Sequence, residues 1–320
     1  MKEYRRAKRV GLASILLALI LRLWAEGVPE MVVQLWNKQN IAEEKTGQAV
    51  RFSPSLQVFS PNFMESPPPS LPEPTEPPIP SFSDPEPIEL YYAVQKTPDI
   101  VALLEKPLQW ELYGEEPTVL ILHTHSTESY TQHGENYVET SAWRTLDENY
   151  NMLSIGAEVA RLLNDRGIPT VQDRQLHDYP SYNGSYASAR KAIREYRKEF
   201  PSLKLILDLH RDASGEDASQ MRTLATVNGS PSAQLMVVIG ANHENYEENV
   251  SLGLKLHAQL EHQSPGIMRP LQLRGARYNQ DLFPGALLIE VGAAGNSHTE
   301  AMTAAKELAG AVIALARGTV

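Results

Sequence analysis

Residues 117–129 read Pro-Thr-Val-Leu-Ile-Leu-His-Thr-His-Ser-Thr-Glu-Ser. The run Pro117–His123 has no polar alternation until its end, as expected of a strand buried on both faces of a sheet. It runs into groups that bind metals or move protons: His123, His125 and Glu128. The same layout recurs twice. Leu203–Leu209 (LKLILDL) leads into His210, Arg211 and Asp212, and Ala286–Val291 (ALLIEV) carries Glu290. Two shorter runs, Ile168–Val171 and Gln234–Ile239, read as further strands.

Helical patterns separate these runs. Met152, Ile155, Val159, Leu162 and Leu163 fall at helical spacing within Asn151–Arg166, and Gly167 stands where a C-terminal cap glycine belongs. Tyr186–Phe200 reads as an amphipathic helix, and Asn249–His262 as another. In Glu300–Ala316, Ala304, Leu308, Val312 and Leu315 form one stripe. Strands alternating with helices predict an α/β fold: an open, twisted, mostly parallel sheet with helices on both faces. No GxGxxG or P-loop signature is present.

The rest of the chain is organised differently. Lys2, Arg5, Arg6, Lys8 and Arg9 precede an apolar run, Val10–Leu21, followed by Arg22 and Trp24. Basic residues before an apolar run predict a single-pass signal anchor over 1–27, its basic stub in the cytoplasm and the remainder outside the cell membrane. A cleaved signal peptide and a buried helix are the alternatives, because the run is short for a full span. Residues 28–53 form a membrane-proximal segment. Residues 54–88 hold 12 of the 23 prolines, the composition of a semi-rigid extended spacer. A lead-in segment, 89–116, then precedes the folded domain, 117–320.

Composition removes several functions. The net charge of −10 argues against a nucleic-acid partner, which calls for a basic surface. The absence of cysteine excludes disulfides, thiolate nucleophiles and Cys-bound zinc, so a metal would be held by His and carboxylate. In open α/β sheets functional groups gather at the carboxyl ends of strands. That places His123 or His125, His210 and Glu290 on one rim. A catalytic zinc takes three such ligands and a water, and a further carboxylate moves the water's proton. Glu290 suits the proton role. Serine chemistry at Ser126 or Ser129 lacks a G-x-S-x-G elbow, and no HExxH is present.

The segments VLILHTHSTESYT, RTLDENYNMLSIGAEVARLLNDRG, LILDLHRDA and LLIEVGAAGN resemble, in order, those of the stage II sporulation protein P family. The resemblance spans about Pro117–Ala316. It implies a membrane-anchored peptidoglycan hydrolase with an amidase-like fold, related to zinc N-acetylmuramoyl-L-alanine amidases. The implied reaction is hydrolysis of the amide between N-acetylmuramic acid and the L-alanine of the stem peptide. Cleavage of peptide cross-links, action at the sporulation septum during engulfment, and stage II sporulation proteins D and M as partners are also implied. Carried over by position, the zinc ligands become His123, Glu148 and His210, with Glu290 catalytic. His125 rivals His123, Asp147 and Glu128 rival Glu148, and Arg211 is a neighbour that would orient them. Arg274, Arg277 and Asn279 read either as binders of peptide carboxylates or as ordinary loop residues. The other histidines (133, 177, 243, 257, 262 and 298) read as surface residues.

Overall fold

The structure, a computed structural model, describes residues 90–92, 98–108, 110–130, 143–213 and 221–318. Among them no helix is long and apolar enough to cross a membrane. The expected anchor, membrane-proximal segment and proline-rich spacer lie outside the described residues.

Strands β1 (Leu90–Tyr92), β2 (Val119–Leu122), β3 (Thr170–Gln172), β4 (Leu205–Asp212), β7 (Leu235–Gly240), β8 (Leu271–Arg274) and β9 (Ala286–Ala293) form one seven-stranded sheet. Its order is β1-β8-β7-β9-β4-β2-β3. The helices are α1 (Ile100–Glu105), α2 (Met152–Asp165), α3 (Ser185–Glu199), α4 (Tyr246–Gln263) and α5 (His298–Arg317). The helices expected from periodicity are present within a few residues of their expected ends. Asn151 caps α2 by accepting from the Leu153 amide, and Gly167 follows α2 at φ 78°. Ser297 and Glu300 form a reciprocal capping box on α5.

The sheet is mixed α/β and mostly parallel. Every neighbouring pair is parallel except β7 and β9. That exception has a local cause. A parallel return needs a crossover, usually a helix, and none is described between β4 and β7. Instead the chain folds through a hairpin, β5 (Leu224–Val227) and β6 (Ser230–Ala233). Asn228 and Gly229 turn it, both at positive φ, as a two-residue hairpin turn requires. The sheet also reaches into the lead-in segment, since β1 pairs with β8.

The two faces are covered unequally. One, here the inner face, packs Val119, Ile121, Leu205, Leu207, Leu209, Val237, Ile239, Leu287 and Ile289 into the main core with residues of α2, α4 and α5. Each such side chain contributes about 1.5–3 kcal/mol on burial. On the outer face α3 covers only part of the sheet, through Ala189, Ala192 and Ile193 on Leu120, Leu122 and Ile206. Strand alternation then decides which face each functional residue joins.

Candidate metal centre

Strands β2, β4 and β9 are parallel neighbours, so their carboxyl ends share one rim. In register, Leu122 lies opposite Asp208 and His210 opposite Glu290. Asp208 and His210 alternate with core Leu207 and Leu209, and Glu290 with core Ile289 and Val291, so all three face outward, beside α3. The register slips after His210, where Asp212 pairs with Ala293. Gly292 there takes φ 70°, and a Cβ would stand 2.7 Å from that of Ala233. Only glycine fits this bulge.

Strand β2 ends at Leu122, and the chain then turns. The turn brings His125 and Glu128 over the outer face. His125 Nδ1 lies 3.1 Å from Glu128 Oε1, and His210 Nδ1 lies 3.7 Å from Glu128 Oε2. Ligand atoms of His125, Glu128 and His210 all fall within 4.8 Å of one another, and all three residues are buried.

Neighbours hold this cluster. Glu128 accepts from the Arg211 amide at 3.2 Å and from Arg144 Nη2 at 3.3 Å. Arg211 donates to the Ser129 and Trp143 carbonyls, and Arg144 pairs with the buried Asp178. Asp208 accepts from both the amide (2.8 Å) and the hydroxyl (2.6 Å) of Thr124. One carboxylate thus ties the turn bearing His125 to the strand bearing His210. His210 Nε2 lies 3.0 Å from Asp208 Oδ1, an ion pair when the ring is protonated.

The donor set suits a cation. His125 Nε2, His210 Nε2 and Glu290 Oε2 are buried without a hydrogen-bond partner, which ordinary packing rarely leaves so. Burial opposes charge on His210, yet Asp208, Glu128 and Glu290 outweigh it and raise its pKa. A proton on His210 does there what a metal cation would do. Burial would raise the Glu128 pKa, but Arg211, His125 and His210 hold it well below the carboxylate range. Glu290 goes the other way. Burial pushes it up, His210 pulls it down, and the charges of Glu128 and Asp212 add to the rise, to about 8. Two carboxylates in one pocket with opposite tendencies divide naturally into a ligand and a proton carrier.

The structure does not bring His123 or Glu148 into this cluster. His123 has the parity of Val119 and Ile121, so it points into the inner core. Its Nδ1 lies 3.3 Å from the Leu209 carbonyl, and its Nε2 is 3.0 Å from the Gln172 side-chain nitrogen. Burial lowers its pKa to about 4. A Cβ on Gly156 would stand 2.3 Å from its ring, so this glycine makes room for it. Glu148 is exposed and pairs with Arg174, and Asp147 is exposed too. His123 follows the extended strand directly while His125 lies in the turn, so the two rings part to opposite faces of the sheet.

The cluster opens into a pocket of about 360 Å³. Besides His125, Glu128, His210 and Glu290, its walls include Trp143, Arg144, Tyr182, Tyr186, Arg211 and Tyr278. The tyrosines and Trp143 had no signal in the sequence, being isolated aromatics in loops or, for Tyr186, at the start of α3. Arg274 and Arg277 stay outside the pocket, where Arg277 donates to the Asn242 carbonyl. Asn279 is buried and donates to the Tyr186 carbonyl. Of the histidines expected on the surface, His177 and His257 are buried, and His133 lies outside the described residues.

Residues 38–313 match the sequence model of a family described as Stage II sporulation protein P. The chain belongs to the stage II sporulation protein P family. The stage II sporulation protein P of Bacillus subtilis (strain 168) is 29% identical over 207 residues, covering 61% of this chain and 50% of that protein. This family member thus spans about half the length of that curated relative. Among solved structures, the CwlD amidase from Clostridioides difficile, in complex with the GerS lipoprotein, is similar with a TM-score of 0.40. Identity there is 15%, over 63% of this chain and 98% of that one. The N-acetylmuramoyl-L-alanine amidase AmiC2 of Nostoc punctiforme gives a TM-score of 0.38 at 13% identity, covering 64% and 97%.

Proposed function

We propose that the chain is a zinc-dependent peptidoglycan hydrolase that cleaves the amide between N-acetylmuramic acid and the L-alanine of the stem peptide. One observation carries the reading: two buried histidines and a buried carboxylate converge beside a second carboxylate of opposite acid–base tendency. The metal ligands proposed are His125, Glu128 and His210, in place of the set carried over by position. When bound there, zinc supplies Lewis-acid polarisation of the scissile carbonyl and a more acidic water. Glu290 accepts the proton of the attacking water and delivers it to the leaving nitrogen of L-alanine. Burial raises the Glu290 carboxyl's affinity for a proton above that of an ordinary carboxylate, as a group that takes up a proton and passes it on requires. Arg211 and Arg144 hold Glu128 ionised and aimed, and Asp208 with Thr124 fixes the spacing of the two ligand segments.

Family membership supports a place in sporulation. Action on the septal wall during engulfment, cross-link cleavage and partnership with stage II sporulation proteins D and M belong to the same proposal. So does a membrane anchor in residues 1–27 with the domain outside the cell. The test measures zinc content and muropeptide products for wild type, His210→Ala and Glu290→Gln. Wild type is expected to hold zinc and separate peptide from glycan. Glu290→Gln is expected to hold zinc without turnover, and His210→Ala to do neither. Identical products from wild type and His210→Ala would overturn the proposal, and a zinc-free, chelator-insensitive wild type would point to a wall-binding scaffold.

A further inference from the structure

The pocket has two unlike sides. On one, Arg144 pairs with Glu128 and Asp178, and the Arg211 guanidinium donates to the Ser129 and Trp143 carbonyls. The other gathers three tyrosines from two segments: Tyr182 just before α3 with Tyr186 in its first turn, and Tyr278 after β8. Tyr182 and Tyr186 both meet the ring of His125, and Tyr278 continues the row beyond Tyr186. Tyr182 lies 4.7 Å from the His125 ring, and Tyr186 lies 5.5 Å from His125 and stacks on His210 at 6.5 Å. Tyr278 lies 6.0 Å from Tyr186.

The wall is fixed in place. Arg144 sits 4.7 Å from the centre of the Tyr182 ring. Arg190 grips Asp281 at 2.6 and 2.8 Å, and Asn279 donates to the Tyr186 carbonyl, which clamps the Tyr278 loop against α3. Tyr278 takes φ 47°, a region aromatic residues rarely occupy. That conformation aims its ring at the pocket. The Tyr278 ring packs on Met236, Val238 and Leu288, whereas Tyr182 remains 53% exposed. Among the described residues, no hydrogen bond involves the hydroxyl of Tyr182, Tyr186 or Tyr278. An aromatic with an apolar face and an unused polar tip is made for a ligand that presents both.

We infer that Tyr182, Tyr186 and Tyr278 form a saccharide subsite that takes a pyranose ring of the glycan strand. The inference rests on the peptidoglycan reading above. The scissile amide joins a sugar to a peptide, so the two must leave the metal in different directions. The sugar is a flat ring with C–H edges to stack on aromatic faces and hydroxyls to meet phenols. The stem peptide carries carboxylates and suits the guanidinium side. Tyr182 is the outermost ring of the wall and contacts His125, so a sugar stacked there keeps its lactyl group within reach of the metal.

The test titrates the metal-loaded full chain with the peptide-free disaccharide of N-acetylglucosamine and N-acetylmuramic acid, and with the stem peptide alone. Tyr182→Ala and Tyr278→Ala are each expected to weaken disaccharide binding about tenfold, the effect of losing about 1.4 kcal/mol of stacking. They should raise KM for muropeptide by a similar factor with kcat little changed, and leave binding of the free peptide alone. Tyr182→Phe keeps the ring and should retain most of the affinity. Tyr179→Ala is the control, since Tyr179 is equally exposed but does not line the pocket. Unchanged disaccharide binding in both alanine variants would overturn the subsite while leaving hydrolysis intact. So would a wild type that binds the peptide but not the disaccharide. Disaccharide binding without any hydrolysis would support the subsite and sink the hydrolase reading instead.

Discussion

The two faces of the central sheet are made by the same strands, yet their buried polar residues meet opposite fates. On the inner face His123 is enclosed by α2, with both ring nitrogens against protein atoms and its pKa lowered to about 4. On the outer face His210 and Glu290 sit side by side in register, each keeping a buried atom with no hydrogen-bond partner. Three helices cover the first face, while α3 covers part of the second and leaves a pocket. A histidine at a strand end thus belongs to the core or to the chemistry according to parity, because successive side chains point to opposite faces.

The sharpest way to break this contrast is the pair His125→Ala and His123→Ala. His125→Ala is expected to abolish metal uptake and hydrolysis while leaving the fold in place. His123→Ala is expected to retain metal and lose about 2–4 kcal/mol of stability through the cavity and the stranded Leu209 carbonyl. Zinc analysis with denaturant titration reads both, and zinc loss in His123→Ala alone would reverse the roles of the faces.

Glu290→Gln is the next largest effect, a fall in kcat of about 100- to 10,000-fold with zinc retained. A smaller change would mean another group moves the proton.

The helical side makes its own prediction, through pH. His257 of α4 is buried, and burial lowers its pKa from 6.5 to about 4. The unfolded chain therefore binds the proton first as pH falls. The stability that a neutral His257 provides is fully present above pH 6.5 and is lost as pH falls towards 4. The loss is at most about 3 kcal/mol. Denaturant titrations across this range should show the slope, and His257→Leu should flatten it.

The smallest effect is expected at Glu148. Its exposed pair with Arg174 lies outside the pocket, so Glu148→Ala should change stability by less than about 0.5 kcal/mol and leave zinc binding intact. Loss of zinc in that variant would move the carboxylate ligand back to the start of the helix.

Much of the architecture was readable because long apolar runs and helical stripes report burial directly. The antiparallel joint between β7 and β9 was not, although Asn228-Gly229 is a hairpin signal. The flanking segments Leu224–Val227 and Ser230–Ala233 are too short and too exposed to show alternation. In the site, His210 and Glu290 were legible because regular strands carry them. His125 and Glu128 were harder to rank, because they lie in a turn whose direction depends on the tie between Thr124 and Asp208. That tie links positions 84 residues apart, beyond the reach of any local pattern. The tyrosine wall is harder still, since Tyr278 joins Tyr182 and Tyr186 only through the fold.

The register of β4 against β9 also has a consequence for the order in which the protein becomes competent. His125, Glu128 and His210 are all in place once β2 and β4 pair. Glu290 joins them only when β9, near the end of the chain, slots between β4 and β7. A nascent chain emerging from the ribosome or the translocon would carry its histidines long before its proton carrier. Under the proposed reading, such a chain is a harmless bystander to the wall until its last strand is inserted.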